Sequence, residues 1–410
     1  MHISLPYGHQ QLKAEFDGRI RQVNVLTSQR QTTDPIRLAL AAPMGSPPLR
    51  ELVHPGQSIT IIISDITRPC PSHLMLPPVV DELAQAGVRD EDVTVVLALG
   101  AHRAHTPEER ARLVGPEIAG RLECGDSDPK QVVYVGTTTR GTPIEAFEPV
   151  VRADVRIALG NVEPHYFAGY SGGAKALVPG VCSINTIQHN HALMVDPQAR
   201  AGVLAGNPVR EDIEEAAALI GIDFLLNVVL DGAHDVVVAA AGHSVEAHRW
   251  ACRALDHQSK VYVEKLADIV LVSAGGYPKD INLYQAQKAL DNAAAVVRPG
   301  GVIIWVAECP EGLGNVTFEE WMVGASADDI LARIQREFVL GGHKAVAIAR
   351  VLKRAAVSLV SGLPPEVVRE CSMTPYTDLE SALHAALEQM GPDPNIVVLP
   401  RGASVLVSSK

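Results

Sequence analysis

Several short segments collect the residue types that bind anions and move protons. Ser64-Asp65-Ile66-Thr67-Arg68-Pro69 joins a carboxylate, a hydroxyl and a guanidinium. Gly100-Ala101-His102-Arg103 sets an imidazole beside a cation, and Gly160-Asn161-Val162-Glu163-Pro164-His165 supplies a second imidazole. Imidazoles titrate near neutral pH, so His102 and His165 can take and return protons. Arg68 can grip a carboxylate with two hydrogen bonds. The run from His165 to Lys175 contains Gly169, Gly172 and Gly173, which let backbone N–H groups approach a ligand closely. Lys175 can pair with a phosphate or act as a nucleophile. The spacing is not that of a Walker loop, and Ala176 follows the lysine. In Gln188-His189-Asn190-His191 the two histidines lie two apart, so on a helix only one can face a given site. There is no H-x-x-x-H or H-E-x-x-H pair, which removes the zinc-peptidase reading.

The elements that must position these groups alternate. Apolar runs at 58–63, 93–99, 155–159 and 267–273 read as buried strands, joined at 301–306 and 357–360 by others. Helical stretches follow at 76–86, 107–113 and 283–295. This alternation predicts an α/β fold of two domains with mostly parallel sheets covered by helices. Ligands in such sheets bind beyond the carboxyl ends of the strands. Four predicted strands end in charged, hydroxyl or imidazole groups: at Asp65–Arg68, at His102, at His165, and at Ser273–Asp280. The expected division is an N-terminal domain over 1–265 and a smaller doubly wound domain over 266–395. The tail, 396–410, either closes the second sheet or returns to the first domain.

Composition narrows the function. The 35 basic and 47 acidic residues give a net charge of −12, and aromatics are 4%, which argues against a nucleic-acid face or stacking platform. No apolar stretch reaches the ~20 residues of a membrane helix. The first residues lack a signal-peptide pattern, and the six cysteines show no C-x-x-C, so a reduced cytoplasmic chain is expected.

Taken together the segments resemble one family, the nickel-dependent lactate racemases and their 2-hydroxyacid racemase and epimerase relatives. The resemblance is carried by Asp65-Ile66-Thr67-Arg68-Pro69, Gly100-Ala101-His102-Arg103, the run from Glu163 to Lys175, Asn190-His191, and the run from Gly276 to Lys288. It implies an isomerase that inverts a 2-hydroxyacid or sugar acid by reversible hydride transfer. The sink would be a nickel-pincer nucleotide, a pyridinium-3,5-bisthiocarboxylic acid mononucleotide nickel complex. By position, Lys175 would tether that cofactor and His191 would ligate its nickel, a planar sulfur and carbon donor set completed by one imidazole suiting Ni. His102 and His165 would be the two bases and Arg68 the substrate anchor. Gln285 and Lys288, three apart on a predicted helix, would close over the substrate in a cleft between the domains. Asp65, Thr67, Gly172, Gly173 and Tyr284 would contact the cofactor or orient its partners. Arg68, Lys175 and Lys288 would make the pocket positive inside an acidic protein.

At 123–126 the chain reads Glu123-Cys124-Gly125-Asp126, where a histidine before the aspartate is expected of many relatives, and the turn is given no role. His105 and His189 read as surface or supporting residues, and His234, His243 and His343 as solvated. Expected partners are the small-molecule acid and the cofactor-maturation enzymes; a homo-oligomer is compatible with the sequence. Two other readings stay open. A nicotinamide-dependent 2-hydroxyacid dehydrogenase would need G-x-G-x-x-G after a strand, which is absent in that context. A non-catalytic carrier of the nickel nucleotide would need neither His102 nor His165.

Overall fold

The computed structural model describes residues 2–15, 20–22, 34–231, 234–337, 339, 341–391, 393–404 and 406–409. The chain divides into two compact units, one of residues 27–258 and one of residues 1–26 with 259–410. Both are α/β units built around a six-stranded sheet.

In the 27–258 unit the sheet runs Val236–Gly242, Phe224–Leu230, Val155–Asn161, Ile59–Ser64, Val93–Ala98, Glu123–Asp126. All neighbours are parallel except Val236–Gly242, which is antiparallel to Phe224–Leu230. Ile59, Ile61, Ile62 and Ile63 are at most 1% exposed, as befits a central strand covered on both faces. From this strand the chain first builds outward through 93–98 and 123–126. It then returns to the opposite side through 155–161. The reversal is a topological switch point. The pairing shows the consequence. Strands 59–64 and 155–161 are registered only as far as Ile62 and Ala158. Each then stays paired to its other neighbour, Ser64 to Ala98 and Asn161 to Val228. The two strands end their pairing before their carboxyl ends, the place where open α/β sheets bind ligands.

In the other unit the sheet is wholly parallel, in the order Thr374–Tyr376, Ala356–Val360, Val297–Val306, Ala267–Ser273, Ile396–Leu399, Ile20–Gln22. The expected single N-terminal block over 1–265 is therefore divided differently. The first residues belong with the C-terminal unit, and so does the tail: Ile396–Leu399 pairs with Ala267–Ser273, and Leu406–Ser409 with Lys260–Val263. An antiparallel hairpin, His2–Tyr7 with Gln10–Glu15, contributes Ile3, Leu5 and Ala14 to the core of this unit. Its turn is pinned by polar contacts. The Gly8 N–H donates to Asp280 Oδ2 at 2.7 Å, Tyr277 N–H donates to Gly8 O at 2.9 Å, and Ser273 Oγ donates to Pro6 O at 2.5 Å. Hydrophobic periodicity could not reveal these contacts, because they join residues more than 260 positions apart.

Gly8 has φ of +52°, and a Cβ there would lie 1.7 Å from Glu308 Oε2. Gly8→Ala is expected to cost about 1–3 kcal/mol through the left-handed backbone and the displaced carboxylate. Hydrogen exchange of the 2–15 amides should accelerate selectively; unchanged protection there would show that the turn does not hold the hairpin.

Candidate active site

Three loops leave the parted carboxyl ends of the first sheet. Adjacent parallel strands lie ~4.8 Å apart, so side chains at their ends meet without long reach. The first loop folds back on itself, with Arg68 N–H donating to Asp65 O at 3.1 Å. Asp65 is 4% exposed, and its Oδ2 lies 2.7 Å from His102 Nδ1. Thr67 Oγ1 donates to both carboxylate oxygens, at 2.9 and 3.1 Å. Burial opposes ionisation of Asp65. The hydrogen bond and charge of His102, with Arg68 nearby, more than reverse this and hold the carboxyl below its ordinary value. An ionised Asp65 can only accept, so His102 carries a proton on Nδ1 and, when neutral, offers its lone pair at Nε2.

The long loop after Val155–Asn161 carries His165, Phe167 and Lys175. His165 Nδ1 accepts the Ala168 N–H at 3.3 Å, which puts the proton of the neutral ring on Nε2. Phe167, 2% exposed, is the hub of this segment. Its ring meets that of His165 at 4.6 Å and that of His191 at 4.8 Å, and Lys175 Nζ lies 5.9 Å from its centroid. Loss of solvent, together with the like charges of Arg210 and Arg68, pushes the Lys175 ammonium well below its ordinary pKa. A neutral amine is the nucleophilic form. Arg68 and Lys175 thus share one neighbourhood, as expected. Arg210 is a further cation of this neighbourhood, and Lys288 lies on a helix of the other unit.

His191 is placed by the helix Ile184–Ala192, whose N-terminus is capped by Ser183 accepting from Thr186 N–H. Its Nδ1 faces Asn190 Oδ1 at 3.2 Å. The orientation of Asn190 is fixed by chemistry. Its amide nitrogen donates to Asp212 Oδ2 at 2.9 Å and Val209 O at 3.2 Å, both acceptors only. Asp212 also accepts from Thr138 and Thr142 hydroxyls. Asn190 therefore presents its carbonyl to His191, which puts the imidazole proton on Nδ1 and the donor lone pair on Nε2. That is the arrangement of a metal-binding histidine held by an outer partner. Among the described residues no group of three or more His, Cys, Asp or Glu could hold a metal ion.

Gly172 and Gly173 have φ of +71° and +59°. The Gly173 N–H donates to Asn227 Oδ1 at 2.8 Å, so this donor is engaged inside the protein. A Cβ on Gly173 would lie 2.7 Å from His248 Cγ. His248 is buried, holds Ser171 O at 2.9 Å, and is pushed down to about 3 by desolvation and by the charge of Arg210. Arg210, fully buried, holds Ala168 O through Nε at 3.1 Å and Tyr170 O through Nη2, while its buried Nη1 has no hydrogen-bond partner among the described residues. Asn227, His248 and Arg210 carry no sequence signal, since each lies far along the chain from the loop it supports.

The remaining expected residues lie on the helix Leu283–Ala294 of the other unit. Gln285 is exposed and Lys288 partly so. The Tyr284 ring packs inside its own unit, 5.6 Å from Phe318 and 4.1 Å from Lys344 Nζ. His343, expected to be solvated, is buried: desolvation and the charge of Lys344 push it down to about 3, and Gly341 N–H donates to its Nδ1. It closes the N-terminal turn of a buried helix, a tertiary setting that polar neighbours in sequence disguise. His105 is also buried, while His189, His234 and His243 are exposed. All six cysteines are free thiols, and no helix among the described residues is long and apolar enough to cross a membrane.

Residues 7–202 match the family profile of the lactate racemase N-terminal domain, and residues 262–407 that of the lactate racemase C-terminal domain. A lactate racemase of Thermoanaerobacterium thermosaccharolyticum is 35% identical over 428 aligned positions, covering 100% of both chains. A lactate racemase of Lactiplantibacillus plantarum is 30% identical, covering 99% of both. The structure of the lactate racemase apoprotein from T. thermosaccharolyticum superposes with a TM-score of 0.91 at 34% identity, over 99% of this chain and 100% of that one. A Thermotoga maritima protein superposes with a TM-score of 0.66 at 18% identity, over 93% of this chain and 100% of that one, a likeness of fold alone.

The lowered pKa of Lys175 means that its free amine persists at pH values where an ordinary lysine, near about 10.4, is ammonium. In competitive acetylation of cofactor-free protein, the pH midpoint for Lys175 should fall below that of exposed Lys13. Arg68→Gln, which removes one like charge, should raise it. Equal midpoints for Lys175 and Lys13 would refute this electrostatic account.

Proposed function

Since the chain belongs to the lactate racemase family and is an isomerase, we propose that it interconverts the two hands of a 2-hydroxyacid, with lactate the first substrate to test. The observation that carries this reading is the pair of imidazoles, His102 and His165, whose Nδ1 atoms are engaged in opposite ways beside Arg68 and Lys175.

His191 Nε2 and Lys175 Nζ are the groups that would hold a nickel-pincer nucleotide, one as metal ligand and one as covalent tether. When bound, that group supplies a reversible two-electron acceptor for the substrate's carbinol carbon. The chain's own residues do the rest. Arg68 pairs with the substrate carboxylate through its guanidinium. His102 Nε2 takes the hydroxyl proton, and the ionised Asp65 stabilises the imidazolium that forms. His165 presents its Nε2 proton to the alkoxide oxygen formed when hydride returns to the other face, and the proton it gives up is replaced through solvent by the one His102 took, so the cycle closes with no net proton change. Burial and the like charges of Arg210 and Arg68 bias Lys175 toward the amine form that tethering needs. The two enantiomers are equal in free energy, so any variant must lower kcat/KM by the same factor in both directions.

Protein matured together with cofactor-inserting enzymes should invert single-enantiomer lactate, or another 2-hydroxyacid, without net redox change, as followed by chiral chromatography. His102→Asn and His165→Asn should each lower kcat by about 10²–10⁴ while nickel content is retained. Gln285→Ala and Lys288→Ala test whether the second unit contributes, with a fall in kcat/KM expected. Oxidation of the hydroxyacid with matching reduction of a nicotinamide would overturn the reading, as would active protein with Lys175 unmodified by mass spectrometry.

A further inference from the structure

The carboxyl rim of the first sheet holds a second aspartate–histidine pair that the mechanism above does not use. His105 follows His102 by three residues on the same loop, yet its side chain is 1% exposed where that of His102 is 47% exposed. His105 Nδ1 lies 2.7 Å from Asp126 Oδ1, and its backbone N–H donates to Asp126 Oδ2 at 2.9 Å. Arg110 Nη1 reaches the same Oδ2 at 3.5 Å. Asp126 is the last residue of the edge strand Glu123–Asp126, so the sheet itself sets its position. On the other side of the ring, Nε2 lies 3.1 Å from the backbone nitrogen of Ile66.

These contacts allow one tautomer. An amide N–H can only donate, so Nε2 accepts from Ile66 and the ring proton sits on Nδ1, facing Asp126. The opposite tautomer would set N–H against N–H. Ile66 stands between Asp65, which holds His102, and Thr67, which holds Asp65. The amide that His105 grips therefore belongs to the turn from which Asp65 reaches His102.

We propose that His105 and Asp126 form a positioning pair that fixes the Asp65–Thr67 turn, and through it the tautomer and aim of His102. Neither residue touches the reacting atoms. The pair gives a role to residues 123–126, read from the sequence as a turn without one and folded as the edge strand. The proposal rests on the assignment of His102 and Asp65 made above.

Two substitutions separate the halves of the pair. His105→Gln places a carbonyl oxygen near the position of Nε2 and keeps an acceptor for Ile66. His105→Asn reaches Asp126 and leaves Ile66 without one. In the full chain labelled with ¹⁵N-histidine, at about pH 8 where ordinary imidazoles are neutral, His105 and His102 should both carry their proton on Nδ1. His105→Gln should preserve the His102 tautomer. His105→Asn should shift His102 toward Nε2–H and lower kcat of the cofactor-loaded enzyme about tenfold or more. The proposal is overturned if His105 of the unaltered protein carries its proton on Nε2. It is also overturned if folded His105→Asn leaves His102 and kcat unchanged. Should His105→Asn not fold, loss of the His102 tautomer in His105→Gln overturns it equally. If no hydroxyacid is inverted, the functional reading fails, and the tautomer measurements still decide this proposal.

Discussion

Two parallel strands whose chains leave in opposite senses cannot stay paired to their ends, and this constraint underlies the whole candidate site. Ile59–Ser64 and Val155–Asn161 share hydrogen bonds only through Ile62 and Ala158, then each follows its outer neighbour. Such a parting is where ligands bind in open α/β sheets. It receives the turn at Asp65, the loop at His102 and the glycine-bearing run to Lys175. The returning loop lies against the strand end at Gly160, where a Cβ would meet Gly172 Cα at 3.7 Å and Asn227 Nδ2 at 3.5 Å, ordinary contact distances. Every later feature, including the hub at Phe167, depends on these loops being delivered to one place by strands about 4.8 Å apart.

Within a span of a few side chains the rim maintains two electrostatic regimes. Asp65 is buried and still ionised, because His102 and Arg68 reward its charge. Lys175 loses solvent as well, but its neighbours are cations, and its ammonium is disfavoured. The difference lies in the partners rather than in burial. It also reconciles a net charge of −12 with a site suited to an anion, since Arg68, Lys175 and Arg210 are gathered while the acidic residues are spread over both units.

Imidazole orientation is the second theme. At His102, His105, His165 and His191 the protein engages Nδ1, through Asp65, Asp126, the Ala168 amide and Asn190 respectively. Holding Nδ1 leaves Nε2 as the atom whose state matters, and whether Nδ1 donates or accepts decides that state. Only His165 has its Nδ1 accepting, so the rim contains both proton arrangements before any substrate arrives.

Local sequence determined much of this. The apolar runs at 58–63, 93–99, 155–159 and 267–273 mark strands because buried parallel strands need unbroken β-branched and leucine stretches, and the polar residues after each run mark the rim. His102, His165, Lys175, His191 and Arg68 were legible for that reason, and for the resemblance their segments carry. Tertiary structure alone decided which unit the first residues join, because Gly8, Asp280 and Glu308 meet across most of the chain. It alone showed that the Gly173 N–H serves Asn227, that His343 is buried, and that His105 has a carboxylate partner. The physical reason is common to these cases. A strand advertises itself through the burial pattern of adjacent residues, whereas a hydrogen bond between distant side chains depends on where two separately folded elements finally lie.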